Sequence, residues 1–164
     1  MISVIVDDLA LTQADAIVRP ATESLGPTSP AIASLDEKAG PRFAEQRRVA
    51  NPLKAGAAVV TGSGDLTAPF VLHVVVQDPD SKTGREIVRR ALVSAWQRAT
   101  DWELGTIATP LVGADSGQLT VEEAATLLAE TFPADPTGFP TELRIVVDRD
   151  ADRVLVEAIV RRIS

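Results

Sequence analysis

At 164 residues, with 45% hydrophobic and 24% charged residues, the chain is long enough to bury one substantial core and reads as a single domain spanning 1–164. The absence of cysteine and the presence of one histidine, His73, exclude disulfides, a thiol nucleophile and a multi-histidine metal site, and argue against a Ser-His-Asp triad. A net charge of -7 argues against sequence-independent binding to DNA or RNA, no apolar run approaches the roughly 20 residues that span a bilayer, and MISVIVDDLA lacks the basic start of a signal peptide, so a cytoplasmic address is expected.

Strand-like and helix-like segments alternate. Ile2 to Val6 and Ala16 to Val18 read as strands joined by a polar turn at Asp7 and Asp8. Ala31 to Ala39 and Arg42 to Val49 read as helical pieces interrupted by Gly40-Pro41. Ala57 to Val60 and Phe70 to Val76 read as strands separated by the turn-rich TGSGDLTAP. A long helix is expected from about Thr83 to Glu103. Its residues Val88, Ala91, Leu92, Ala95, Trp96 and Ala99 recur at three- and four-residue steps, and Glu86 can pair with Arg90. A strand into Pro110, a glycine loop, a helix from Val121 to Phe132, a strand from Leu143 to Val147 and a closing helix that buries Leu155, Ile159 and Ile163 complete the chain. The runs VLHVVV and ELRIVV are apolar at nearly every position, which implies a sheet covered on both faces and hence three layers, helix on sheet on helix.

Residues Thr106 to Ala125 carry the strongest functional signal. A short apolar run enters a loop bracketed by Gly113 and Gly117, and a helix follows at Thr120, which stands three residues from Glu123 as in a capping box. A strand, a glycine loop and a capped helix together can aim backbone N–H groups at an anion; the plainer alternative is that the glycines only turn the chain. His73 lies in an apolar strand and reads as a packed or hydrogen-bonded core residue. Trp96 and Trp102 read as packing residues, and Glu122-Glu123 as stabilising a helix N-terminus. No catalytic residue, metal site or cofactor is assigned.

Several segments, in order, resemble the macro domain family, whose members commonly bind ADP-ribose and in some branches hydrolyse ADP-ribose derivatives. Asp7-Asp8-Leu9 followed by DAIV at Asp15 to Val18 looks like the family's opening Gly-Asp-Ile and second strand. AGAAVVTGSGDL resembles its central Gly-x-Ala-x-x-Thr segment, VLHVVV the strand that carries its histidine, and PLVGADSGQLTVEEAA its diphosphate loop and following helix. The resemblance implies a three-layer α/β/α sandwich with a mixed, roughly six-stranded sheet and a ligand cleft at strand ends. It places Asp8 as acceptor for the adenine amino group, the alternative being that Asp8 only caps or turns the chain. It places Gly113, Ala114, Ser116 and Gly117 at the phosphates, and leaves Thr22 as a candidate sugar contact.

The chain departs from the family at defined points. Arg19-Pro20-Ala21-Thr22 stands where the family has Asn-Ala-Ala-Asn; Arg19 is expected to face solvent and Pro20 to end the strand, the alternative being that Arg19 meets a phosphate. Gly26-Pro27-Thr28-Ser29-Pro30 replaces a glycine-rich loop, with Ser29 where hydrolytic relatives place an aspartate. Asp115 stands where relatives often have glycine; at ~4 Å its repulsion of a phosphate is about 1 kcal/mol in water and about 4 at an effective dielectric of 20. These departures lead to the expectation of a divergent binding module that takes ADP-ribose or a related nucleotide weakly and without efficient catalysis. The alternatives are a hydrolase of ADP-ribose derivatives and a ligand-free fold used to contact other proteins.

Overall fold

The computed structural model describes residues 1–77 and 84–163. Six strands and four helices follow in the order β1 (Ile2–Val6), β2 (Ala16–Ala21), α1 (Pro30–Gln46), β3 (Ala58–Gly62), β4 (Phe70–Val75), α2 (Gly84–Asp101), β5 (Thr106–Thr109), α3 (Val121–Thr131), β6 (Glu142–Val147) and α4 (Asp150–Ile163). The expected start of the long helix at Thr83 lies outside the described residues. The sheet order is β1-β6-β5-β2-β4-β3, parallel throughout except that β3 runs antiparallel to β4. The expected mixed six-stranded sheet is therefore present.

Strand alternation divides the core between two faces. Leu72 and Val74 of β4, Ile107 of β5 and Leu143 and Ile145 of β6 pack with α2, α3 and α4. Ile17, Val71, Ala108 and Val146 face the other way, against Ile32, Leu35, Ala39 and Phe43 of α1. One helix thus covers one face and three cover the other. Among the described residues no helix is long and apolar enough to cross a membrane.

The Gly40-Pro41 interruption appears as a kink inside α1. Gly40 adopts φ +85°, and a Cβ there would lie 2.7 Å from Asp65 Oδ2. Pro41 has no N–H to give, and beside the kink the Ala39 carbonyl accepts from the Asp65 amide at 2.9 Å.

Two packing expectations are corrected. In α4 the buried residues are Val156, Ile159 and Val160, whereas Leu155 is 50% exposed and Ile163 37%. A 155–159–163 stripe drifts around the helix, and only its middle member reaches the sheet. Trp96 is buried and donates its indole N–H to Thr131 Oγ1 at 3.0 Å, but Trp102 is half exposed and only meets Phe70 edge-on.

Candidate functional site

The parallel strands β1, β6 and β5 end on one side of the sheet, and the loops leaving them enclose a cleft of about 750 Å³. Asp7 to Leu9 after β1, Pro110 to Asp115 after β5 and Asp148-Arg149 after β6 contribute to it, together with the first turns of α1. This is the position where open α/β sheets hold ligands, because loops diverge at the carboxyl ends of parallel strands. The divergence is visible in the register: β2 and β5 pair only at Ala16–Ile107 and Ile17–Ala108.

Asp8 serves the local turn and remains available at the mouth of the cleft. Its Oδ1 accepts the Ala10 N–H at 3.0 Å, and Oδ2 accepts from Lys38 Nζ at 3.1 Å. The Ala10 amide first, and then Lys38, hold its carboxyl below the usual carboxylate range, so it is an anionic acceptor at neutral pH. The side chain is 44% exposed, which leaves lone pairs open to a further donor.

The glycine loop turns in on itself. Ala114 N–H donates to Leu111 O at 3.0 Å, Gly117 N–H to Ala114 O at 3.2 Å, and Leu119 N–H to Gly113 O at 2.9 Å. Ala114 lines the cleft; Gly113, Ser116 and Gly117 do not. Gly113 has φ +94°, and a Cβ on it would sit 2.8 Å from Leu119 Cδ1; Gly117 has φ +75° with open space around it. Gly113→Ala is expected to destabilise the fold by about 3 kcal/mol, from backbone strain plus the Leu119 collision, and Gly117→Ala by only about 1. Chemical denaturation distinguishes them; equal losses would mean that Leu119 yields without cost.

Asp115 reaches across to the loop before α1. Its Oδ2 accepts from Thr28 Oγ1 at 3.0 Å, while Oδ1 is buried without a partner among the described residues. Thr28 itself carries no signal in the sequence, since its partner lies 87 positions away. Ser29 caps α1, its hydroxyl accepting the Ile32 N–H at 3.3 Å. Thr120 and Glu123 form the expected capping box, with bonds of 3.1 Å in both directions. Thr22 is engaged within its own loop, where its Oγ1 accepts the Gly26 N–H at 2.9 Å, and it does not line this cleft.

Arg19 is the principal correction. It does not face solvent: it is fully buried, and it grips Asp36 of α1 through two bonds, Nε to Oδ1 at 2.8 Å and Nη2 to Oδ2 at 2.7 Å. Residues alternate along β2, so Arg19 shares the α1-facing side with Ile17, and α1 supplies the carboxylate. Pro20 does not end the strand, which continues to Ala21. Val76 N–H bonds Ala21 O, so Pro20 turns its nitrogen toward β5, where pairing has already stopped and no donor is required.

His73 completes this buried cluster and is the hydrogen-bonded core residue expected. Nδ1 lies 3.2 Å from Arg19 Nη1 and Nε2 lies 2.7 Å from Thr61 Oγ1, and the Phe43 ring stacks on the imidazole. The guanidinium can only donate, so Nδ1 accepts, Nε2 carries the proton, and Thr61 passes its own hydrogen to Gly62 O at 2.9 Å. Burial first, and then the charges of Arg19 and Arg47, lower the His73 pKa to about 3. The ring is neutral throughout the physiological range.

The sequence model of the Macro domain family matches residues 18–128 of this chain. The chain belongs to the macro domain family. A macro domain-containing protein of Streptomyces coelicolor is 30% identical over 154 residues, covering 89% of this chain and 90% of its own length. A macro domain-containing protein of Caldanaerobacter subterraneus is 30% identical over 149 residues, covering 85% and 84%. An uncharacterized Mycobacterium tuberculosis protein is 25% identical over 144 residues, and this macro domain spans only 40% of its length. Among solved structures, the Oceanobacillus iheyensis macrodomain with ADP superposes with a TM-score of 0.80 at 19% identity, covering 97% of this chain and 89% of that one. The Trypanosoma brucei macrodomain in complex with ADP-ribose gives 0.82 at 20% identity, covering 97% and 68%. At these identities the structures establish the fold.

Proposed function

We propose that this macro domain binds ADP-ribose or a related nucleotide in the cleft beside Asp8, weakly where a diphosphate must be accommodated, and without efficient catalysis. The observation that carries the reading is the open cleft at the strand ends, with a half-exposed acceptor carboxylate beside an apolar wall that includes Leu9, Ile32 and Leu35. Its volume of about 750 Å³ falls within the roughly 300–1,000 Å³ of small-molecule sites. Solved relatives of the same fold hold ADP-ribose or ADP. A carboxylate matches the exocyclic amine of a base, and apolar side chains match its faces.

Several groups that could handle protons or position a water are already engaged. The Ser29 hydroxyl caps a helix, both His73 ring nitrogens are bonded, and the Arg19 guanidinium is paired with Asp36. Calorimetry with ADP-ribose, ADP and AMP tests the binding; no heat at millimolar ligand with folded protein rejects it. Asp8→Ala is expected to weaken all three about tenfold, the worth of one charge-assisted hydrogen bond. Unchanged affinities would leave Asp8 with only its turn-capping role. Release of ADP-ribose from a modified substrate above a buffer blank would overturn the non-catalytic part of the reading.

A further inference from the structure

At the far side of the sheet from β3, β1 ends the strand order and pairs with β6 alone. Met1 O accepts the Leu143 N–H at 2.9 Å and the Asp7 N–H donates to Val147 O at 3.2 Å, so Met1, Ser3, Ile5 and Asp7 direct their backbone groups toward β6. Alternation then turns the N–H and C=O of Ile2, Val4 and Val6 outward, where no strand meets them among the described residues. Edge strands are ordinarily blunted by a charge, a proline or a bulge. The run ISVIV carries none of these.

We infer that this edge joins a second copy of the chain across a two-fold axis, β1 pairing antiparallel with β1 so that the two sheets become one. Two separate patterns are self-complementary under that single operation. In the ladder, an axis at Val4 sets Val4 against its own counterpart and Ile2 against Val6, so every outward N–H meets an outward C=O. The facing side chains are β-branched pairs on the α4 side of the sheet, where Val4 belongs to the core and Val6 is 47% exposed.

The second pattern lies in α4. A groove of about 340 Å³ runs between Ile2, Ser3 and Val4 of the edge and Glu157, Val160 and Arg161 of the helix. Asp150, Val154, Glu157 and Arg161 follow at three- and four-residue steps and form one stripe on that side of α4. The stripe is acidic at its start and basic at its end. Val154 within it is 55% exposed, and Arg161 has no ion pair among the described residues. The two-fold axis runs the second α4 antiparallel to the first and brings Arg161 of each copy beside the acidic half of the other. The nucleotide clefts, at the carboxyl ends of the strands, then open at opposite ends of the joined sheet, and the assembly does not depend on what they bind.

Sedimentation of the whole chain over a concentration series is expected to show a reversible monomer–dimer equilibrium. Ile2→Pro removes one outward donor from each copy and leaves the bonds to β6 in place; it is expected to raise the dissociation constant about thirtyfold. Arg161→Glu, counted twice by the symmetry, is expected to raise it about tenfold, and adding Asp150→Arg to restore it, because exchanging both ends preserves the match. Should Ile2→Pro fail to fold, amide exchange of the wild-type protein takes its place. Exchange at Ile2, Val4 and Val6 is expected to slow as protein concentration rises, while Ser3 and Ile5, bonded to β6, are unchanged. A monomer at millimolar concentration overturns the inference and leaves the edge to a different chain. A dimer indifferent to the charge changes, or one whose edge amides exchange at the same rate at every concentration, overturns it equally by placing the contact elsewhere.

Discussion

Arg19→Ala is expected to lower the stability of the domain by about 3–5 kcal/mol, the largest loss of any single change near the site. The substitution leaves Asp36, only 10% exposed, with a buried charge whose remaining cation, Arg47, is 3.8 Å away. It also deprives His73 Nδ1 of its donor and Phe43 of the guanidinium that sits 5.6 Å from its ring centroid. Each loss strands a polar group or empties packed volume. Denaturant unfolding measures the change as a lowered midpoint at constant slope. Pairing Arg19→Met with Asp36→Leu removes both charges together and is expected to recover most of the loss, because apolar replacements of a buried ion pair are often neutral. A single-mutant loss below about 1 kcal/mol would show that the pair is solvated in practice.

Acidification is expected to destabilise the domain through His73, in a pH window that follows from its environment. Unfolded, the ring has its ordinary pKa of 6.5 and is protonated below that pH; folded, it stays neutral down to about 3. The unfolded state therefore binds more protons between these limits, and stability falls as pH drops from 6.5 toward 3. The loss contributed by this group amounts to about 2 kcal/mol at pH ~5 and about 4 kcal/mol near pH ~3. Above about 6.5 both states are neutral and the group contributes no pH dependence. His73→Gln cannot take up the proton, so its unfolding free energy is expected to lose this slope between about pH 6.5 and about pH 4. An identical slope in the variant would assign acid sensitivity to the carboxylates instead.

Both expectations concern a cluster that also shapes the cleft. Asp36 joins β2 to α1, His73 adds β4, and Thr61 adds β3. Arg47 extends the cluster to the loop before α1 by donating to Leu25 O at 2.9 Å. That loop carries Thr28, the partner of Asp115. An arginine standing where the family has an asparagine has thus been drawn into the core. There it anchors the segment that meets the 111–119 loop.

Local chemistry made much of the architecture legible in the sequence alone. Alternating and continuous apolar runs marked the six strands, three- and four-residue spacing marked the helices, and Gly40-Pro41 marked the break in α1. Thr120 with Glu123 announced the start of α3, because both partners of a capping box lie within one turn. These signals depend on neighbours a few residues apart. The burial of Arg19 has no such signal, because its carboxylate lies 17 positions away and meets it only when α1 packs on the sheet. The Thr28–Asp115 contact and the inward-bonded amides of Ala114, Gly117 and Leu119 were hidden for the same reason: a motif fixes residue types, not the direction of an N–H. The order of apolar segments determined the layered fold, and the family resemblance those segments carry implied a cleft at strand ends; which charges face that cleft, and which are neutralised behind it, depended on contacts that exist only once distant segments are packed together.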